Sequence, residues 1–103
     1  MSKNGKSVVL INEVAGGFAE NKDIARDIRL KQILPALGSG KTVVLDFAGV
    51  SVATQSFVHA LVSEALQLHR SKALELLEFK SCNPTVRSVI LTVVDYSLES
   101  QTA

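Results

Sequence analysis

Residues 42–47 (TVVLDF), followed by Ala48-Gly49 and a long amphipathic stretch, constrain the fold more than any other part of the chain. Their near-continuous aliphatic character suits a strand covered on both faces, as happens in parallel sheets whose crossover helices pack on the strands. After the turn, Val50 and Val52 alternate with small residues. Thr54 or Gln55 then opens a helix predicted to run to about Arg70. On it Phe57, Leu61, Ala65 and Leu68 recur at helical spacing, and Val58, Val62 and Leu66 widen the stripe.

The same periodicities organise the flanks. Residues 7–12 (SVVLIN) form a β-branched run of strand length, closed by Gly16-Gly17. Asn21 is a helix cap for a stretch of about 22–34. Its apolar stripe shifts partway, from Ile24 and Ile28 to Leu30, Ile33, Leu34 and Leu37. That shift predicts either a wide buried face or a break near Leu30. Pro35 lacks an N–H and is expected to disrupt a continuing helix, with Gly38-Ser39-Gly40 as the exit loop. Residues 74–79 read as a third strand. Asn83 as cap and Pro84 at the first helical position start a last helix, on which Val86, Val89, Ile90, Val93 and Val94 keep helical period. The tail from Ser97 is polar. The predicted order is β-α-β-α-β-α: one small α/β domain over residues 1–103, with a mostly parallel sheet packed by helices and fraying expected at 1–6 and 98–103.

Composition narrows the function. A formal net charge of +1 leaves no electrostatic footprint for nucleic acid or an anionic membrane surface. No apolar run approaches the roughly 20 residues that span a bilayer. The single cysteine, Cys82, cannot form an internal disulfide, and no signal peptide is visible, so a cytoplasmic setting is expected.

Several motifs invite chemistry and fail on context. Gly38-Ser39-Gly40-Lys41-Thr42 looks like the end of a phosphate-binding loop, but the first glycine of that motif falls on Pro35. A helix precedes the segment and a strand follows it, the reverse of what phosphate binding needs. Asp46 then has no nucleotide metal to hold, and is expected to bond to backbone N–H groups of its turn. Ser56 and His59 lie three apart on one helix, without the carboxylate and oxyanion hole of a nucleophilic pair. His69, in the last turn of its helix, reads as structural. Two histidines and one cysteine at scattered positions make no zinc site, so no metal and no cofactor are expected. Cys82 beside a helix start reads as a quiet, partly buried thiol.

Leu45-Asp46-Phe47-Ala48-Gly49-Val50 followed by Thr54-Gln55-Ser56-Phe57 resembles the signature of the STAS-like family of small bacterial domains, L-D-F-x-G-V then T-x-S-F. Arg26-Asp27-Ile28-Arg29 is similar to the family's basic first-helix segment, and Asn83 with Val86-Arg87 and Val89-Ile90 resembles the start of its final helix. In the related anti-sigma-factor antagonists a D-S-S-G turn carries a phosphorylated serine, and Ser56 matches that acceptor. Thr54 and Phe57 depart from the turn's aspartate and glycine, and Val58-His59-Ala60-Leu61 lacks the family's usual acidic pair.

The resemblance implies a non-enzymatic regulatory module that binds another protein. The implied partner is a histidine-kinase-type ATPase or an anti-sigma-factor-like protein, and the implied surface is Val52, Thr54, Gln55, Ser56 and His59. A second reading makes Ser56 the acceptor of a phosphorylation switch. A third places a ligand or reaction at the carboxyl ends of the strands, with a pocket near Asp46. The first strand, as a sheet edge, allows a homodimer.

Overall fold

The computed structural model describes residues 5–99. In chain order the elements are β1 (Lys6–Leu10), α1 (Ile11–Ala15), β2 (Phe18–Ala19), α2 (Lys22–Ile28), a π segment (Arg29–Ile33), α3 (Leu34–Gly38), β3 (Thr42–Asp46), β4 (Val52–Ala53), α4 (Gln55–His69), α5 (Ser71–Leu76), β5 (Leu77–Lys80) and α6 (Pro84–Glu99). The main sheet has the order β1-β3-β5 and is parallel throughout. A separate parallel pair joins β2 to β4.

Central β3 buries Val43, Val44 and Leu45, as its composition predicts for a covered strand. Val9, Val43, Leu45 and Leu77 face the helical layer and are buried. The register sets Val8 beside Val44 and Glu78, and Leu10 beside Asp46 and Lys80, on the other face. There Val8, Leu10, Glu78 and Lys80 are exposed. Among the helices α4 is the middle one, packed between α2 with its π segment and α6. Both predicted stripes of α4 are buried, Phe57, Leu61 and Ala65 together with Val58, Val62 and Leu66. The exception is Leu68, which is 63% exposed in the last turn.

The long first crossover shows how the sequence handles its misplaced proline. Asn21 Oδ1 accepts the N–H groups of Asp23 and Ile24 at 2.9 and 3.3 Å, so the predicted cap is in place. Pro35 does not end the helix, contrary to expectation. Immediately before it the backbone widens into the π segment, and Leu34 N–H reaches back five residues to the Arg29 carbonyl. The wider turn relieves the clash a proline ring makes with the carbonyl four residues earlier. It also absorbs the shift of the apolar stripe: Ile28 and Ile33 are both buried five residues apart, and Leu37 follows four later. The predicted break near Leu30 is this segment. Gly40, at φ +76°, closes α3, with Lys41 N–H bonded to Ala36 O at 2.9 Å and Gly40 N–H to Leu37 O at 3.0 Å. The glycine-lysine stretch is thus a helix carboxyl end, where carbonyls rather than N–H groups are presented.

Other elements depart from the simple alternation. The first strand ends at Leu10, and Ile11 opens a short helix instead of extending the strand to Asn12. Ile11 is fully buried, so its β-branched side chain serves the core from a helix. The third strand begins at Leu77 rather than Leu74, because Ser71–Leu76 is helical. That segment (SKALEL) holds Lys, Ala, Leu and Glu, all strong helix formers, and Arg70 at φ +46° separates it from α4. The pairs β2 and β4 were not legible as strands. Lys6 already belongs to β1, and Leu98 and Glu99 close α6, where fraying was expected; residues 1–4 and 100–103 of the expected frayed ends lie outside the described residues. Ser97, read as the start of a polar tail, is fully buried and donates to Ser63 Oγ at 3.0 Å.

Candidate functional site

The chain leaves β3 through a turn with little freedom. Asp46 Oδ1 accepts the Ala48 N–H at 2.9 Å, the backbone role expected of it, and Val50 N–H returns to Phe47 O at 3.0 Å. Gly49 sits at φ +83°, and a Cβ there would stand 2.7 Å from Asn12 Nδ2. The next residues are stitched to the segment after α1. Ser51 and Val52 both donate to Gly17 O, at 2.8 and 3.3 Å, and Thr54 N–H donates to Ala19 O at 2.9 Å.

This stitching builds the β2–β4 pair at the carboxyl end of β3. Phe18 lies beside Val52 and Ala19 beside Ala53. The alanines are buried and the larger pair faces outward, Phe18 being 56% and Val52 37% exposed. Thr54 then caps α4: its Oγ1 accepts the Phe57 N–H at 3.2 Å, a bond worth about 1 kcal/mol. Phe57 is fully buried and anchors the first turn in the core. Ser56, the second residue of the helix, is exposed, with its Oγ 3.4 Å from Thr54 Oγ1. That contact is a hydrogen bond between the capping hydroxyl and the Ser56 hydroxyl, at the helix end that favours negative charge.

Asn83 fastens this corner from the other side. Its Oδ1 accepts the Val86 N–H at 2.8 Å and caps α6. Its Nδ2 donates to Val50 O and Ser51 O at 3.3 and 3.0 Å. One amide therefore starts the last helix and holds the β3–β4 connection. Further along α4, His59 Nδ1 shares a 2.9 Å hydrogen bond with the Tyr96 hydroxyl, the ring centroids 5.7 Å apart. Arg29, in the π segment, pairs with Glu64 at 3.1 Å and donates Nη1 to Ala60 O at 3.1 Å, tying the first crossover to α4.

Of the residues singled out in sequence, Val52, Gln55 and Ser56 are exposed at this corner, and Thr54 is half-buried and occupied by capping. His59 is exposed one turn later and engaged by Tyr96 rather than by Ser56. Phe18 was missed. The only signal for it was a large aromatic directly after Gly16-Gly17, and its partner across the sequence, Val52, gives no local clue to the pairing.

A different feature lies at the end of β5. A cavity of about 380 Å³ is lined by Phe79, Ser81, Cys82, Arg87, Ile90 and Leu91. Asp46 is not among its walls, though its charge reaches Cys82. Burial pushes the Cys82 thiol above its ordinary value, Arg87 opposes this and Asp46 adds to it. The thiol is therefore the quiet one expected, not an activated nucleophile. Among the described residues no three His, Cys, Asp or Glu side chains gather as metal ligands. No helix among them is long and apolar enough to cross a membrane.

A parallel three-stranded sheet with a helical layer, and a tightly bonded corner where the central strand passes to its helix, define a small α/β domain. Residues 25–87 match the model of the family described as a STAS-like domain of unknown function, and the chain belongs to that family. The matched span includes Asp46, Gly49, Thr54, Phe57 and Asn83, the residues that shape the corner, and ends before most of α6. No significant match is found among curated proteins or among solved structures.

Proposed function

We propose that the protein is a non-enzymatic regulatory module that binds another protein through the β2–β4–α4 corner, with Phe18, Val52, Gln55 and Ser56 as the contact face and Thr54 and His59 at its margins. The observation that carries this reading is the exposed pair Phe18 and Val52, two large apolar side chains at neighbouring register positions of a short parallel strand pair. Aromatic side chains fixed in this way are typical anchors of protein interfaces. Membership of a STAS-like family supports a binding role over catalysis, and by resemblance the partner is a histidine-kinase-type ATPase or an anti-sigma-factor-like protein in the cytoplasm of a bacterium. A signalling role follows from the same resemblance.

Phosphorylation of Ser56 is the second reading, favoured by its exposed position in the first turn of α4, where Thr54 and not Ser56 accepts the Phe57 N–H. A phosphate would sit well on its own helix end and change the charge of the contact face. The test is capture of partners from the native host with wild type, Phe18→Ala and Ser56→Asp, identified by mass spectrometry. A partner held by wild type and weakened about tenfold or more by Phe18→Ala supports the corner as the interface. Equal recovery by all three moves the interface elsewhere. A phosphorylated species present in wild type and equally present in Ser56→Ala removes the switch reading.

A further inference from the structure

Among the described residues nothing pairs with the outer edge of β1, and that edge is unlike the opposite one of the main sheet. β5 is four residues long and carries Glu78 and Lys80, charges of the kind that keep sheet edges from pairing. β1 has five residues with only Lys6 charged, and two large apolar side chains beside its edge, Val8 at 55% and Leu10 at 43% exposed. On its helix side Val9 is buried, while Ser7 borders a depression of about 260 Å³ lined also by Lys31, Gln32, Pro35 and Lys41.

The hydrogen-bond phase of the sheet shows what this edge offers. Phe47 N–H donates to Lys80 O at 2.8 Å, so the backbones of Leu45 and Phe47 face β5. Alternate residues face the opposite neighbour, so Thr42, Val44 and Asp46 turn their backbone groups to β1. Their register partners there are Lys6, Val8 and Leu10. In a parallel ladder the residues flanking each partner complete the bonds, here Ser7, Val9 and Ile11. The N–H and C=O groups of Lys6 and Val8, and the N–H of Leu10, therefore point out of the sheet, while the Leu10 carbonyl serves the first turn of α1.

We propose that a second copy of this chain occupies the edge, with β1 running antiparallel to its counterpart and the two-fold axis passing through Val8. The outward-facing residues are symmetric about Val8, so the pairing is self-complementary. Val8 meets Val8, and Lys6 of each copy meets Leu10 of the other. Each Leu10 N–H finds the other copy's Lys6 carbonyl, and the two Val8 residues exchange both bonds. No like charges are set opposite one another. Each Lys6 lies at the level of the other copy's Asp46, one strand further in, since Asp46 is the register partner of Leu10. The result is a six-stranded sheet whose face away from the helical layer carries a continuous apolar row, buried Val44 and exposed Val8 of one copy followed by Val8 and Val44 of the other. The strip is smaller than a standard interface, so dissociation is expected in the micromolar rather than the nanomolar range.

Sedimentation of the whole chain from about 1 μM to about 1 mM reads the association directly. Wild type should pass from monomer to dimer across that range. Val8→Pro removes an N–H that β3 does not use and should leave a folded monomer. Val8→Lys, which sets two ammonium groups across the axis, gives the same readout should the proline variant fail to fold by circular dichroism. Register is tested in a Cys82→Ala background: Val8→Cys should form a disulfide-linked dimer under mild oxidation, and Val9→Cys, on the buried face, should not. A wild type that stays monomeric to about 1 mM overturns the proposal, as does a dimer that survives Val8→Lys.

Discussion

Asn83 links the start of α6 to the β3–β4 connection, and two substitutions separate these duties. Asn83→Ala removes the acceptor for Val86 N–H, worth about 1 kcal/mol as a cap. It also removes the donors to Val50 O and Ser51 O at 3.3 and 3.0 Å, worth roughly 0.5–1.5 kcal/mol each before solvent replaces them. Val50 is buried and Ser51 exposed, so water compensates mainly at Ser51. The expected total is about 2–3 kcal/mol, a fall in Tm of about 10–20 °C for a domain of this size. Asn83→Asp is the informative variant. Aspartate is as good a cap as asparagine and gains about 0.3–1 kcal/mol from the helix dipole. It has no donor, however, and it sets a carboxylate against two carbonyl oxygens. It should therefore be no more stable than Asn83→Ala in urea or thermal unfolding followed by circular dichroism. An Asn83→Asp protein within about 0.5 kcal/mol of wild type would refute the double role and leave Asn83 as a cap alone.

Two further predictions follow from the same region. Gly49→Ala should cost about 1–3 kcal/mol, because φ is +83° and Asn12 Nδ2 lies 2.7 Å from the new methyl; adding Asn12→Ala should recover only the steric part, and a neutral urea midpoint for Gly49→Ala would contradict the strained turn. Cys82, raised by burial, should alkylate more slowly at neutral pH than an unstructured cysteine peptide, with the rate climbing only above the ordinary thiol range. Since the folded state favours its protonated form, its contribution to stability is full below the unfolded thiol value and is lost as pH rises through the folded one. Alkylation faster than the peptide would count against the buried thiol.

The residues that announced themselves in sequence are those whose job is local. Asn21 and Asn83 each satisfy the helix that follows them, so type and position together were enough; at the start of α4 the sequence left Thr54 and Gln55 open, and the structure makes Thr54 the cap. The buried run of β3 and the double stripe of α4 were legible for a similar reason, because burial on a regular element leaves a period. What stayed hidden depends on distant chain. The β2–β4 pair brings residues 18–19 to 52–53, and two-residue strands have no period to read. The π segment left a trace as a displaced stripe, but that trace alone does not distinguish a break from a widened turn. Pro35 was misread because its usual effect presumes a regular helix before it. Residues 74–76 alternate like a strand while being made of helix formers, and composition outweighed alternation.

The corner itself bears on how a regulator built on it would act. Val50 N–H, Ser51 N–H, Val52 N–H and Thr54 N–H all have backbone acceptors, and the carbonyls of Val50 and Ser51 take the Asn83 amide. Phe57 pins the next turn in the core, and Gly49 and Asn12 leave the preceding turn no slack. A contact face carried on such a frame needs little ordering when a partner arrives, so the apolar gain from Phe18 and Val52 is not spent on fixing the loop. The same rigidity limits what a phosphate on Ser56 does. Bonds this closely spaced oppose a second arrangement of the corner, so on the proposed reading the added charge would act on the partner directly, by repulsion or attraction across the interface, instead of by reshaping this domain. Under that mechanism Ser56→Asp changes partner affinity while the circular dichroism spectrum stays at the wild-type one and Tm rises by no more than the few degrees that a charge of about 0.3–1 kcal/mol at a helix start gives; a variant that altered the spectrum together with the affinity would point to a conformational switch.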